Sequence, residues 1–314
     1  MRLDLLAALS GLMIALQARA NGELSYRLNN GIEAALVSFG SGLIIIAVIT
    51  LFHKGIKEGI SNLRVAVKAK EIPRWRLFAG ALGGAFVAVQ TQIVPIIGVA
   101  IYSVASIAGQ TAMSLYVDRI GLTGGGKKLI SRRRIAAAAL TVLAVLVSVW
   151  DRIDAKNLSM WAVFFGVLAG AIVGVQRALN GQINEHSKQS FTTSLLNFMM
   201  GTSFLVILLV IAVIANWVEL APLPAGPWWI YTGGVVGVIY IAFSSTIVQH
   251  LGVFTFTLFS VGGQLVGSLL LDLLLPTNGV NVSAYLVTGI VMTYFGVIAA
   301  GVSSLRIQKS AKEQ

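Results

Sequence analysis

Gln17-Ala18-Arg19-Ala20-Asn21-Gly22 and Gln176-Arg177-Ala178-Leu179-Asn180-Gly181 are one short phrase written twice, 159 residues apart. Working outward, the same displacement relates Gly11 to Gly170, Phe39 to Phe198 and Gly42 to Gly201. A second block follows at a displacement of 154, pairing Gly80, Gly83, Gly98, Gly109, Gln110 and Asp118 with Gly234, Gly237, Gly252, Gly263, Gln264 and Asp272. Self-similarity on this scale dictates architecture before any local signal does. The chain reads as two copies of one unit, the second with a shorter connection between its second and third helices.

What the unit is follows from composition. Of the 314 residues 56% are apolar and 11% charged, and the mean hydropathy is +0.84; a soluble globule this apolar would precipitate. Apolar runs of about 17–25 residues recur along the whole chain, each long enough as a helix to cross roughly 30 Å of hydrocarbon. Reading runs between charged or turn-rich breaks predicts helices near 3–20, 32–52, 77–94, 97–117, 135–150, 160–178, 192–215, 230–248, 251–271 and 284–304. Pro95 and Gly98 separate the third and fourth so tightly that the two must form a hairpin, with His250 and Gly252 in the matching place. The start, with Arg2, an apolar stretch from Leu3 to Leu16 and Ala18-Arg19-Ala20, imitates a cleavable secretory signal. Its repeat partner can only be a mature helix, so it reads as helix one.

Five helices per copy is an odd number, so the second copy enters from the opposite side of the membrane. The charges agree with that plan. Loops 53–76 and 118–134 are rich in lysine and arginine, whereas their second-half equivalents, 216–229 and 272–283, carry none. Counting both termini and the 177–190 connection with the first set puts nineteen basic residues on one side, leaving Arg19, Arg27, Arg152 and Lys156 on the other. The positive-inside rule then puts both termini in the cytoplasm. The expected fold is an all-α integral membrane protein of ten transmembrane helices in two inverted five-helix repeats, 1–152 and 153–314, with a short cytoplasmic tail. The net charge of +11 is explained by this topology and needs no nucleic acid. With no cysteine there is no disulfide framework, thiolate metal site or cysteine nucleophile.

Polar residues inside the membrane are the candidate site. Ser106, Gln110, Ser114 and Asp118 descend one helix at four-residue steps, and Ser260, Gln264, Ser268 and Asp272 do so on its counterpart. Gln110 and Gln264 fall near mid-helix, where an amide must face protein or a water-filled path. The stripes read either as interhelical glue or as solute contacts. Gln17 and Gln176 are assigned to a cavity, and Asn21 and Asn180, one turn on, to ending their helices. Asp118 and Asp272 read as interfacial anchors, with a gate or coupling site as the alternative. The substrate-binding candidates are thus Gln17, Gln110, Gln176, Gln264, Ser106 and Ser260. Other motifs carry less. Gly121 to Lys128 reads G-x-x-x-x-G-K-K but lacks the closing hydroxyl and preceding strand of a phosphate loop. His53, His186 and His250 sit at separate helix ends, so neither a metal site nor a catalytic triad is expected. Asn157-Leu158-Ser159 and Asn281-Val282-Ser283 fit a glycosylation pattern.

The phrases Gln17-x-x-x-Asn21-Gly22 and Gln176-x-x-x-Asn180-Gly181, with Gly263-Gln264-Leu265-Val266-Gly267-Ser268-Leu269-Leu270-Leu271-Asp272, resemble the YdcZ-type inner-membrane transporters of the bacterial drug/metabolite transporter superfamily. The likeness is closest over 227–272, from Pro227-Trp228-Trp229, and looser over Gly109 to Asp118. It implies a small-molecule exporter or permease of the bacterial inner membrane. No carboxylate lies at mid-helix, in contrast to the central glutamate of small multidrug-resistance pumps in that superfamily. The expected function is secondary transport of a small organic solute by alternating access around a midplane site, with no cofactor. A lipid-modifying enzyme lacks a catalytic cluster here; a non-transporting scaffold or accessory subunit is the rival. Expected partners are the solute and the lipid bilayer, with homo-oligomerisation left open.

Overall fold

The computed structural model describes residues 3–122, 130–148, 150, 160–251, 253–276 and 282–310. Outside them fall Gly252, Lys127 and Lys128 of the glycine-rich loop, Arg152, Lys156, and the asparagines Asn157 and Asn281. Among the described residues there are ten α-helices, two 3-10 turns and no strand, as expected where backbone groups must pair within their own segment. The helices are α1 (Leu3–Leu28), α2 (Gly31–Phe52), α3 (Lys54–Lys68), α4 (Ala79–Ile120), α5 (Arg132–Ser148), α6 (Met160–Ser187), α7 (Ser190–Ile214), α8 (Gly233–Leu251), α9 (Val253–Leu274) and α10 (Ala284–Ser310). Six stretches are long and apolar enough to cross a membrane: α1, α2, α4 with its preceding turn, α6, α7 and α8. Three shorter apolar helices, Ile135–Ser148, Phe259–Leu274 and Ala284–Gly296, accompany them.

Straight, the 42 residues of α4 would measure about 63 Å, twice the hydrocarbon thickness. Instead the chain turns at Gly98, whose φ of 80° and ψ of 167° suit a residue without a Cβ, three residues after Pro95 has removed an amide donor. Both ends of the hairpin return to one side chain. Arg76 Nη1 donates to Gln182 Oε1 at 2.5 Å, and Gln182 Nε2 donates to the Leu122 carbonyl. The other half closes likewise on Arg19, which stacks on Trp229 at 5.2 Å ahead of α8 and donates through Nε to the Leu275 carbonyl at 2.8 Å beyond α9.

Three expectations need correction. Asn21 and Asn180 do not end their helices; α1 runs on to Leu28 and α6 to Ser187. Their amides are engaged sideways, Asn21 Nδ2 donating to Gln90 Oε1 at 3.4 Å and Asn180 Oδ1 accepting from Asn197 Nδ2 at 2.9 Å, so the backbone ladder continues. Arg177, counted above as a loop cation, is therefore inside α6 and buried. The break 53–76 holds the amphipathic helix α3, which buries Ile56, Gly59, Leu63 and Ala66 and turns its lysines outward.

Packing is set by glycine. A Cβ at Gly170 would lie 1.8 Å from the Ser106 carbonyl oxygen, and one at Gly109 1.8 Å from that of Val167, so α6 and the second arm of α4 touch backbone to backbone. The same contact recurs between α1 and α9: a Cβ at Gly11 would lie 1.7 Å from the Ser260 carbonyl oxygen, and one at Gly263 1.8 Å from that of Ala8. Phe39 packs on Gly201 and Phe198 on Gly42, with the two ring centroids 5.0 Å apart. α4 and α6 form the interior, whereas α2 and α7 are mostly uncovered, turning Ile44, Leu51, Ile207 and Val210 outward.

Candidate functional site

Where α1, α2, the first arm of α4, α6, α7 and α8 converge, they leave a cavity lined by Ile14 and Val173, Gln17 and Gln176, Phe39 and Phe198, Gly83 and Gly237, Phe86 and Tyr240, Val87 and Ile241, and Asn197. All but Asn197 fall into pairs at displacements of 159 or 154. The space is contracted. The centre of a water-sized sphere has about 20 Å³ to move in, room for roughly one water molecule.

The polar wall is built of amides. Gln17 Nε2 donates to the Gly233 carbonyl at 2.9 Å, and Gln176 Nε2 to Asn197 Oδ1 at 3.3 Å. Gly83 and Gly237 are what let these amides lie flat against α4 and α8, since a Cβ there would stand 2.2 Å from Gln176 Nε2 and 2.7 Å from Gln17 Nε2. Aromatic rings and branched aliphatics make up the remainder.

Gln110, Gln264, Ser106 and Ser260 are buried but do not line this cavity. They lie at the glycine crossings, Ser106 beneath Gly170 and Ser260 beneath Gly11. Gln110 Nε2 donates to Ser106 Oγ at 2.8 Å on its own helix, leaving Oε1 without a partner. Both amide atoms of Gln264, and the hydroxyl of Ser260, also lack one. Asp272 accepts from the backbone N–H groups of Val99 at 3.3 Å and Ala100 at 2.7 Å, capping the second arm of α4 from another helix, where its charge complements the helix dipole. Asp118 is buried at the far end of that arm.

Sequence reading missed Asn197, Tyr240 and Arg177. Asn197 has Ser38 as its counterpart, so the repeat does not flag it, and Tyr240 is hidden behind Phe86 for the same reason. Arg177 is 2% exposed; its Nε donates to Tyr240 Oη at 3.1 Å and its Nη1 to Thr257 Oγ1 at 3.0 Å, while Phe256 lies 5.0 Å beneath the guanidinium. Its place four residues from both Val173 and Gly181, on one helix face, was the available signal. Among the described residues no three histidine, aspartate or glutamate side chains gather as metal ligands would.

Comparison with known proteins follows the same division. A family profile described as "Putative inner membrane exporter, YdcZ" matches residues 3–147 and again 161–299. No curated protein matches the chain. A solved structure titled only "Crystal structure of protein" is 13% identical, covers 97% of this chain and 97% of its own, and superposes with a TM-score of 0.56, a likeness of fold alone. Matched over nearly its whole length, the chain belongs to the YdcZ family, of the drug/metabolite transporter type.

Proposed function

We propose that the chain is a secondary transporter moving a small organic solute across the bacterial inner membrane, its two five-helix halves, 1–152 and 153–314, inserted with opposite orientation and rocking about the central cavity. The observation that carries this reading is the pairing of the cavity wall: twelve of its thirteen residues occur as six repeat-related pairs. A site built equally from two inverted halves can be exposed to either side by the same motion run in opposite senses. The contracted cavity then corresponds to a state without room for a solute, and solute entry requires the halves to part.

Gln17 and Gln176 offer donors and acceptors to a polar group on the solute. The stripes contribute as well. Interhelical glue would show itself as hydrogen bonds between helices, yet Gln110 bonds only within α4 and Gln264 forms no bond. Unused capacity on buried amides that lie off the contracted cavity favours solute contact, made once the halves part, over glue. Asp272 holds the start of an arm rather than offering a free carboxylate, which supports a positioning role. Both termini and α3 are assigned to the cytoplasm; with Arg177 and Arg19 set aside as buried within the bundle, the remaining basic residues still divide eighteen to three.

The test is flux. Purified protein in liposomes should accumulate a labelled solute from a panel of small organic acids, amines and neutral polar compounds, screened with and without a pH gradient. A scaffold or accessory subunit would move none of them.

A further inference from the structure

Arg177 stands roughly 5 Å along α6 from the helix midpoint, deep enough that burying its charge is costly without a counter-charge. Yet its partners are a phenol, a hydroxyl and a ring face, all neutral. Nη2 has no partner, and among the described residues no carboxylate pairs with it. Arg19 in the other half is handled differently, with the Glu23 carboxylate 3.0 Å away. Packing does not require a cation at the Arg177 position either. Its counterpart is Ala18, and the counterparts of Tyr240 and Phe256 are Phe86 and Tyr102, whose rings pack together with centroids 6.3 Å apart. The arginine is a one-sided addition to an otherwise matched site, and it reaches the cavity wall through the Tyr240 hydroxyl.

We propose that the solute is an organic monocarboxylate with an apolar body, and that Arg177, with Tyr240 and Thr257, receives its carboxylate. This rests on the transporter reading above. A guanidinium with a free N–H edge matches a carboxylate in shape and charge. One cation neutralises one negative charge, so the loaded site is neutral, whereas a phosphate dianion would leave charge uncompensated in a medium of low dielectric. Phe39, Phe198, Val87 and Ile241 supply the apolar surface for the rest of the molecule.

The experiment is calorimetric titration of the purified full-length protein in detergent with benzoate and phenylacetate, set against benzamide, benzylamine and inorganic phosphate. Benzoate or phenylacetate is expected to bind roughly tenfold or more tightly than the amide, the amine and phosphate, from the loss of a charge-assisted hydrogen bond. That comparison uses the unaltered protein and does not depend on any variant folding. Arg177→Met should weaken the acid roughly tenfold or more, and Arg177→Lys should recover part of the loss. The proposal is overturned if neither acid binds, if the amide, amine or phosphate binds as well as the acids, or if folded Arg177→Met holds benzoate as tightly as the parent. Flux separates this proposal from the one beneath it. Acid binding without flux in liposomes sinks the transporter reading, while flux of a neutral or cationic solute that is indifferent to Arg177→Met sinks only the carboxylate.

Discussion

A glutamine side chain has two donor and two acceptor positions, and Gln264, fully buried, fills none of them within the protein. An unmet amide of this kind costs about 1–3 kcal/mol, and an apolar residue of similar shape removes the cost. Gln264→Leu should therefore leave detergent-solubilised melting unchanged or raise it, while solute affinity falls several-fold from a lost hydrogen bond of about 0.5–1.5 kcal/mol. Gln176→Leu should lower affinity similarly, with some loss of melting because its bond to Asn197 goes too. A fall in melting for Gln264→Leu with affinity intact would return the stripes to packing. The glutamines were legible in the sequence because they repeat. Their spacing assigns Gln17 and Gln176 to a cavity, and they line one; that Gln110 and Gln264 lie off its wall was not legible, since it depends on Gly83 and Gly237 making room for Gln176 and Gln17.

At the scale of elements, close approach is what holds the helices in register. Adding a Cβ at Gly170 drives it into the Ser106 backbone, which has no flexible end to move aside. Gly170→Ala should cost about 1–3 kcal/mol through overpacking, lowering the melting temperature clearly. Gly40→Ala serves as the control, for nothing lies within 4 Å of a Cβ there, and inside a helix it should leave melting unchanged or raise it slightly. The cap supplied by Asp272 gives a second expectation. Asp272→Ala should destabilise by about 0.5–2 kcal/mol, while Asp272→Asn, whose single amide oxygen can still accept from Ala100 but leaves Val99 without its partner, keeps part of the stability and the flux. Loss of flux in a stable Asp272→Asn protein would instead mark a coupling carboxylate. Helix ends were the least legible feature. Asn21-Gly22 reads as a stop because an asparagine and a glycine favour leaving the helix, but the asparagine's amide donates sideways to Gln90 and Val94 packs on the glycine. Helix α3 was concealed by its charges, although Ile56, Ile60, Leu63 and Val67 recur at helical spacing.

For the molecule as a whole, the apolar runs made the all-helical class readable, and the repeat marked the glycines of the close crossings, Gly11 with Gly170 and Gly109 with Gly263. It could not reveal the one-sided features, Arg177 and Asn197, whose meaning lies in departing from the repeat. Orientation is the part of the plan that rests most heavily on loop charge. Because the chain has no cysteine, single cysteines introduced by Ser61→Cys and Ala225→Cys report it cleanly. An impermeant maleimide applied to intact cells should label position 225 and spare position 61, and the reverse pattern would invert the topology. The central claim is that one cavity, built from both halves, is opened to each side of the membrane in turn. Val173→Cys places a thiol in that cavity with little change in volume, and its labelling by an impermeant reagent can be followed in right-side-out and inside-out vesicles without knowing the solute. Labelling from both sides is the predicted result; labelling from one side alone, or from neither, would contradict alternating access.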